Sequence, residues 1–300
     1  MNYIQPRSLK KGDTIGLIAP SSPLKPERLG PGVRYLEQLG YKVKLGKHLQ
    51  DAERFLAGKD QDRAQDIMDF FKDPEVSAIM ATCGGYGSQR VLPFLDYAII
   101  AKNPKMLLGF SDTTALQLGL LKMTGLITNT GFTFRDAQTG QLEPLIEKTL
   151  LPTLQGEPYQ ITEGTIVHSG VVEGPLVGGN LSLINLLVGT PYQPNFKNSI
   201  FFFEELWMEP YMVDAMLSHL ELAGIFDEVA GIIIGQFEDC IAKQDPERDG
   251  TIEDVIQTWS SRFRVPCLKD FPYGHGARRA ILPIGKNVQL DVNNKTVRIS

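Results

Sequence analysis

The sequence predicts an α/β fold in two domains. The first is built on a parallel sheet with helices on both faces, and the second has mixed α/β character. Three observations lead there. Short continuous apolar runs alternate with longer segments of helical period through the first half, a stretch rich in Gly and Pro breaks that rhythm near the middle, and 300 residues accommodate two domains of roughly 150 each. Apolar runs without polar alternation mark strands buried on both faces, as in a parallel sheet of βαβ units.

Each element has its own signal. Residues 14–19 (TIGLIA) predict a buried strand, stopped by Pro20, Ser21, Ser22 and Pro23. A helix through 33–39 ends at Gly40, and a strand at 41–45, a helix at 61–71 and a strand at 76–83 follow. Next come a helix after Ser88, a strand at 105–110 and a helix at 113–123. Gly140, Pro144, Pro152, Gly156, Pro158 and Gly164 then punctuate the chain. The domain connection is placed at 151–169, between an N-terminal domain of 1–150 and a C-terminal domain of 170–300. In the second half a strand at 199–203 precedes a helix at 211–223, whose Val213, Met216, Leu217 and Leu220 share a face and whose Gly224 is a good stop. A strand at 229–235, a helix at 252–263 and short strands at 265–268, 280–284, 288–292 and 296–299 complete the chain.

Composition excludes several classes of function. Thirty basic against 35 acidic residues give a net charge of −5 with no block of one sign, so no nucleic-acid footprint or polybasic membrane patch is expected. No run approaches the roughly 18 to 20 apolar residues of a membrane-spanning helix. The start, MNYIQPRSLKKGD, has no apolar stretch before a small-residue cleavage site, so a cytoplasmic protein is expected. Cys83, Cys240 and Cys267 are an odd count without close pairing, which argues against a disulfide framework. No metal-ligand spacing and no cofactor motif is present.

The most informative stretch is Lys105-Met-Leu-Leu-Gly-Phe-Ser111-Asp112-Thr113-Thr114. A buried strand runs into a serine and a helix begins at once, which lifts a hydroxyl to the carboxyl edge of the sheet at the positive end of a helix. The role is that of a nucleophile elbow, although Thr113 stands where the hydrolase elbow has its second glycine. Equally, Ser111 or Asp112 could be a helix N-cap. Thr82-Cys83-Gly84-Gly85-Tyr86-Gly87-Ser88 ends another strand, and its glycines suit either a close ligand approach or a tight turn. In an open α/β sheet both loops leave the edge where ligands bind.

A serine nucleophile needs a base, and the chain has four histidines. His219 lies in an amphipathic helix, His48 in a polar loop and His168 near the domain connection. His275, in Gly274-His275-Gly276, is the best candidate because glycines leave room on both sides. A third group must orient that base. Glu204 and Glu205 end the apolar run Phe201-Phe202-Phe203 and, by strand alternation, point to opposite faces.

These pieces resemble the LD-carboxypeptidases, the serine-peptidase family of murein tetrapeptide carboxypeptidases and microcin C immunity proteins. The resemblance is carried by IGLIAPSSP (15–23), CGGYGSQRVLPFLD (83–96), LLGFSDTTAL (107–116), GPLVGGNLSLINLLVGTPY (174–192), IFFFEELWMEPYMVDAML (200–217), GIIIGQFEDC (231–240) and DFPYGHGARRAILPIG (270–285), in family order along essentially the whole chain. It implies a smaller C-terminal domain and a triad of Ser111 as nucleophile, His275 as base and Glu204 as its orienting carboxylate. Counting back from Pro210-Tyr211 selects Glu204, although the family's usual second acid is Asp and here it is Glu205. The resemblance further implies oxyanion N–H groups from Gly85 and Asp112 and a homodimer. Substrate contacts are expected from Gly84, Tyr86 and Arg90, with Arg90 or Arg135 as the cation for a terminal carboxylate.

The implied reaction is removal of the terminal D-alanine from murein tetrapeptides in peptidoglycan recycling, on a peptide or muropeptide substrate. The alternative is hydrolysis of peptidyl or aminoacyl adenylates, the branch that often carries a longer aromatic-bearing insertion not found here. A non-enzymatic two-domain peptide-binding protein would use the same residues as hydrogen-bonders. A nucleotide-dependent enzyme ranks last, because the glycine-rich loop lacks the P-loop lysine.

Overall fold

The computed structural model describes residues 3–139, 141–243 and 246–300. Gly140, one of the residues used to place the connection, lies outside them. The chain forms two compact units, Met1–Glu157 with Ile281–Gly285, and Pro158–Ala280 with Lys286–Ser300.

In the first unit, β1 (Thr14–Ile18), α1 (Leu29–Gln38), β2 (Lys42–Leu45), α2 (Asp60–Lys72), β3 (Val76–Ala81), α3 (Tyr97–Lys102), β4 (Met106–Gly109), α4 (Thr114–Thr124) and β5 (Thr128–Thr130) alternate as expected. The strands are parallel in the order β5-β4-β3-β1-β2, with a late strand, Leu282–Ile284, antiparallel on the β5 edge. The order reverses between β1 and β3, so the loops leaving their carboxyl ends diverge and open the crevice where such sheets bind ligands. Every residue of β3 and β4 is buried, and most of α4 is too, which explains its apolar character all round. Leu17, Met80, Leu108, Phe132 and Phe134 belong to one core cluster.

Two expectations are corrected here. The helix after Ser88 is a tight 3₁₀ stretch, Ser88–Phe94, followed by the separate helix α3. Pro93 has no N–H to continue an α-helix, and Asp96 restarts the chain by accepting from the Ile99 N–H at 3.0 Å. The expected connection, 151–169, contains the division between the units after Glu157, but regular structure runs through it. Pro144 occupies the first turn of α5 (Pro144–Gln155), Glu143 caps the Leu145 and Ile146 N–H groups at 3.0 Å, and Gly156 closes it in the left-handed region. The proline and glycine read as a linker are helix punctuation.

The second unit opens with β6 (Tyr159–Thr162), β7 (Thr165–His168), β8 (Val171–Asn180), α6 (Leu181–Leu187) and β9 (Ile200–Leu206). It continues with α7 (Pro210–Leu222), α8 (Ile225–Glu228), β10 (Gly231–Glu238), α9 (Pro246–Asp249), α10 (Ile252–Arg262) and β11 (Cys267–Lys269). The strand lent to the first unit is β12, and β13 (Asn287–Asp291) and β14 (Thr296–Ile299) end the chain. The sheet order is β6-β14-β13-β8-β9-β10-β11-β7, parallel from β8 to β11 and antiparallel outside. The central strand β9 has both neighbours parallel, and its three phenylalanines are fully buried. Residues 281–285 sit in the first unit, so neither unit is continuous in sequence. The sequence shows this strand, at 280–284, but carries no local signal of its distant partner. Among the described residues no helix is long and apolar enough to cross a membrane.

All three cysteines are free and buried. Burial pushes the Cys240 thiol up to about 11 and the Cys267 thiol to about 12, and raises Cys83 as well. Since the thiolate is the reactive form, the folded protein should react slowly with a disulfide reagent at pH 8 and release three equivalents on unfolding. Rapid titration of any thiol in the native state would contradict this packing.

Candidate active site

The first unit holds Ser111 where β4 runs out. Phe110 is extended and Ser111 turns abruptly into the left-handed region at φ +64, a conformation that costs a non-glycine residue about 1–3 kcal/mol. A Cβ on Gly109 would lie 2.4 Å from Thr113 Oγ1, so the strand-to-helix turn closes only over a glycine. The N-cap alternative fails for Asp112. Its buried carboxylate accepts from Ser21 Oγ at 2.5 Å, Ser88 N–H at 2.8 Å and Gly87 N–H at 3.1 Å, and Ser88 Oγ donates to its carbonyl. Burial pushes the Asp112 carboxyl above the ordinary range, against the pull of those donors. One carboxylate thereby ties together the loops after β1, β3 and β4.

The glycine-rich loop crosses directly beneath Ser111. A Cβ on Gly84 would stand 2.8 Å from Ser111 Cβ and 3.1 Å from its Oγ. Gly85 is at φ +114, and a Cβ there would lie 2.0 Å from Ser22 Oγ. Ser22 in turn accepts from the Tyr86 N–H at 3.3 Å and donates its own N–H to the Gly84 carbonyl at 3.3 Å. None of the turn and loop bonds among the described residues uses the N–H of Gly85 or Asp112.

Arg63 was missed by the sequence reading. Its helix segment, DQDRAQD, looks like a solvated face, yet Arg63 is buried and its guanidinium donates to the Gly87 carbonyl at 2.9 Å, to the Pro20 carbonyl and to Asp60. Burial pulls its pKa down while Asp60 opposes. The same Asp60 holds Arg90 at 2.8 and 3.0 Å, so Arg90 is engaged in an ion pair. Tyr86 is 45% exposed and packs edge-on against Phe55 at 5.4 Å. Arg135 is exposed, and its N–H donates to the Thr82 carbonyl at 2.8 Å.

The second unit brings Glu204 and His275 together. Glu204 is fully buried in β9, and its Oε2 lies 2.7 Å from His275 Nδ1. Because a carboxylate only accepts, Nδ1 carries the proton of the neutral ring and leaves Nε2 as the acceptor. Asn180, at the end of β8, donates to Glu204 Oε1 at 3.1 Å and to Glu205 Oε1 at 2.9 Å. Glu205 points the other way, to the Ser182 N–H at 2.8 Å and Oγ at 2.5 Å at the start of α6. Burial raises its pKa, with Ser182 opposing. Alternation thus gives one glutamate to the histidine and the other to a helix start.

A β-bulge completes the arrangement. β10 pairs Ile234 with Phe203 and then Phe237 with Glu205, so Gly235 and Gln236 together face Glu204. A Cβ on Gly235 would lie 2.3 Å from the Tyr273 carbonyl and 3.1 Å from Glu204 Cβ. Those on Gly274 and Gly276 would meet Gln236 at 3.0 and 2.6 Å. The glycines flanking His275 therefore serve close approach to β10, where the sequence had suggested free room. The other histidines are occupied: His48 by Asp51, His168 by the Ser260 carbonyl and His219 by Asn185, each at 2.9 Å. His48, Asp51 and Asp62 bring ligand atoms within 4.8 Å of one another, a grouping that the sequence spacing did not signal.

Comparisons with known proteins match residues 15–131 to the LD-carboxypeptidase N-terminal domain and residues 173–290 to the LD-carboxypeptidase C-terminal domain. The probable murein peptide carboxypeptidase of Bacillus subtilis is 35% identical over 100% of this chain and 95% of its own length. The murein tetrapeptide carboxypeptidase of Pseudomonas aeruginosa is 31% identical over 93% of each. A solved structure of the microcin immunity protein MccF in complex with glutamyl sulfamoyl guanosine superposes with TM-score 0.88 at 28% identity, covering 98% of both chains.

Gly235→Ala should cost about 1–3 kcal/mol by overpacking and push the His275 loop off Glu204. Denaturant unfolding reads the first effect, and faster modification of His275 by diethyl pyrocarbonate reads the second. Unchanged stability and unchanged modification would show that the loop has room after all.

Proposed function

The chain belongs to the LD-carboxypeptidase family and has that family's carboxypeptidase function; on that premise we propose that it removes the terminal D-alanine from murein tetrapeptides through an acyl-enzyme on Ser111, with His275 as base and Glu204 as its orienting carboxylate. The proposal rests on one contact above all, the 2.7 Å bond from His275 Nδ1 to the buried Glu204. It selects the tautomer whose Nε2 can take a proton.

In this mechanism Nε2 removes the Ser111 Oγ proton as the oxygen bonds to the carbonyl carbon of the residue before D-alanine. The carbonyl π pair moves onto its oxygen, which the N–H groups of Gly85 and Asp112 receive. The pair returns, the C–N bond breaks and His275 delivers its proton to the departing amine. Water then attacks the ester by the same base, freeing the tripeptide acid and the Ser111 hydroxyl. Glu204 stabilises the imidazolium in both steps. The left-handed backbone at Ser111 supports the reading, since strain of this kind is held at functional positions by the surrounding structure.

Gly84 and Tyr86 would line the substrate. Of the two arginines, Arg90 is occupied by Asp60, which favours Arg135 as the cation for the terminal carboxylate. The protein would work in the cytoplasm as a homodimer, on peptides recovered from the wall. Its likeness to MccF bound to a glutamyl sulfamoyl nucleoside favours hydrolysis of aminoacyl adenylates as the second reading.

Wild type should release D-alanine from a muropeptide tetrapeptide, and Ser111→Ala should reduce the rate at least about 10⁴-fold. Release by both proteins would remove Ser111 from the chemistry. Release by neither, with turnover of an aminoacyl adenylate analogue, would favour the second reading.

A further inference from the structure

Two acceptors beside His275 have no role in the mechanism above. Gln236 is the bulged residue of β10, and its Oε1 is buried without a hydrogen-bond partner. Buried polar atoms are almost always paired, so an orphaned one calls for a ligand or water donor. Glu238, two residues on, is exposed. Its carbonyl accepts from Trp207 N–H and Cys240 Sγ, while its carboxylate has no ion pair or hydrogen bond among the described residues. Both side chains reach the same spot. The position a Cβ would take on Gly276, next to His275, lies 2.6 Å from Gln236 Oε1 and 3.1 Å from Glu238 Oε2. Two oxygens, one of them charged, thus converge at Gly276, the residue that follows the proposed base.

Resting on the carboxypeptidase reading, we propose that Gln236 and Glu238 form the specificity element for the residue before the scissile bond, accepting hydrogen bonds from a side-chain ammonium group and disfavouring a side-chain carboxylate. A convergent pair of acceptors suits a donor cation such as the ammonium of a diamino acid. A glutamyl or aspartyl side chain would instead place like charge against Glu238 and leave Gln236 Oε1 unpaired. Gly276 is part of the device, because any side chain there would fill the space between the two oxygens.

The test compares tetrapeptides that end in Lys-D-Ala, norleucine-D-Ala and Glu-D-Ala. Wild type should prefer lysine over norleucine by about tenfold in kcat/KM and reject glutamate more strongly. Glu238→Gln should collapse the lysine-to-norleucine ratio toward one, and Gln236→Met should lower it. Glu238→Lys, a change at an exposed position, should turn the preference toward glutamate. A ratio unchanged in all three variants, or an equal loss on every peptide, would overturn the proposal. Hydrolysis of none of the peptides by wild type would overturn the carboxypeptidase reading itself, and this inference with it.

Discussion

A carboxylate with no access to water is the constraint on which the second unit is arranged. Taking an ion of this kind out of solvent costs several kcal/mol unless its oxygens are paired, and Glu204 has two partners to meet that cost. Asn180 supplies one from the end of β8, and His275 supplies the other from a loop that must come within hydrogen-bond distance of a central strand. The bulge at Gly235–Gln236 and the glycines on either side of His275 make that approach sterically possible. Replacing one of them with a larger residue would act on the imidazole before it acted on the sheet.

The first unit repeats the device with different residues. Asp112 is buried beside Ser111, and its oxygens gather donors from the loops after β1 and β3. The serine thus stands on a turn whose neighbours are fixed from below, while Arg63 holds the same two loops by their carbonyls. In each unit a buried charged group sets the geometry of a more accessible one next to it. In the proposed mechanism the accessible group performs the chemistry, and the buried one limits where it can be.

Much of this was legible in the sequence because it is local. The run from strand to serine to helix at 105–114 shows the elbow directly, and the continuous apolar runs show the parallel sheet. The choice of Glu204 as the partner of His275 came from the resemblance and the count back from Pro210-Tyr211, while alternation alone left Glu205 open; in the fold Glu204 and His275 are in hydrogen-bond contact. What escaped notice depends on distant partners. Arg63 sits in a helix that reads as polar surface, and only the folded chain brings Pro20 and Gly87 to it. The strand Leu282–Ile284 leaves its own unit to pair with β5, which no local pattern announces. Gly274 and Gly276 were noticed for the wrong reason, since local sequence shows flexibility and cannot show the strand they press against. Pro144 and Gly156 likewise look the same in a linker and at the ends of a helix.

The central claim is that Glu204 fixes the proton of neutral His275 on Nδ1 and leaves Nε2 unprotonated, as the proposed base requires. Nitrogen NMR of protein carrying ¹⁵N-labelled histidine, with the His275 signals identified from a His275→Gln variant, tests it directly. The account requires a protonated Nδ1 and an unprotonated Nε2 in the neutral ring, and loss of that preference in Glu204→Gln. A neutral His275 protonated on Nε2, or an even mixture of the two tautomers in the wild-type protein, would contradict it.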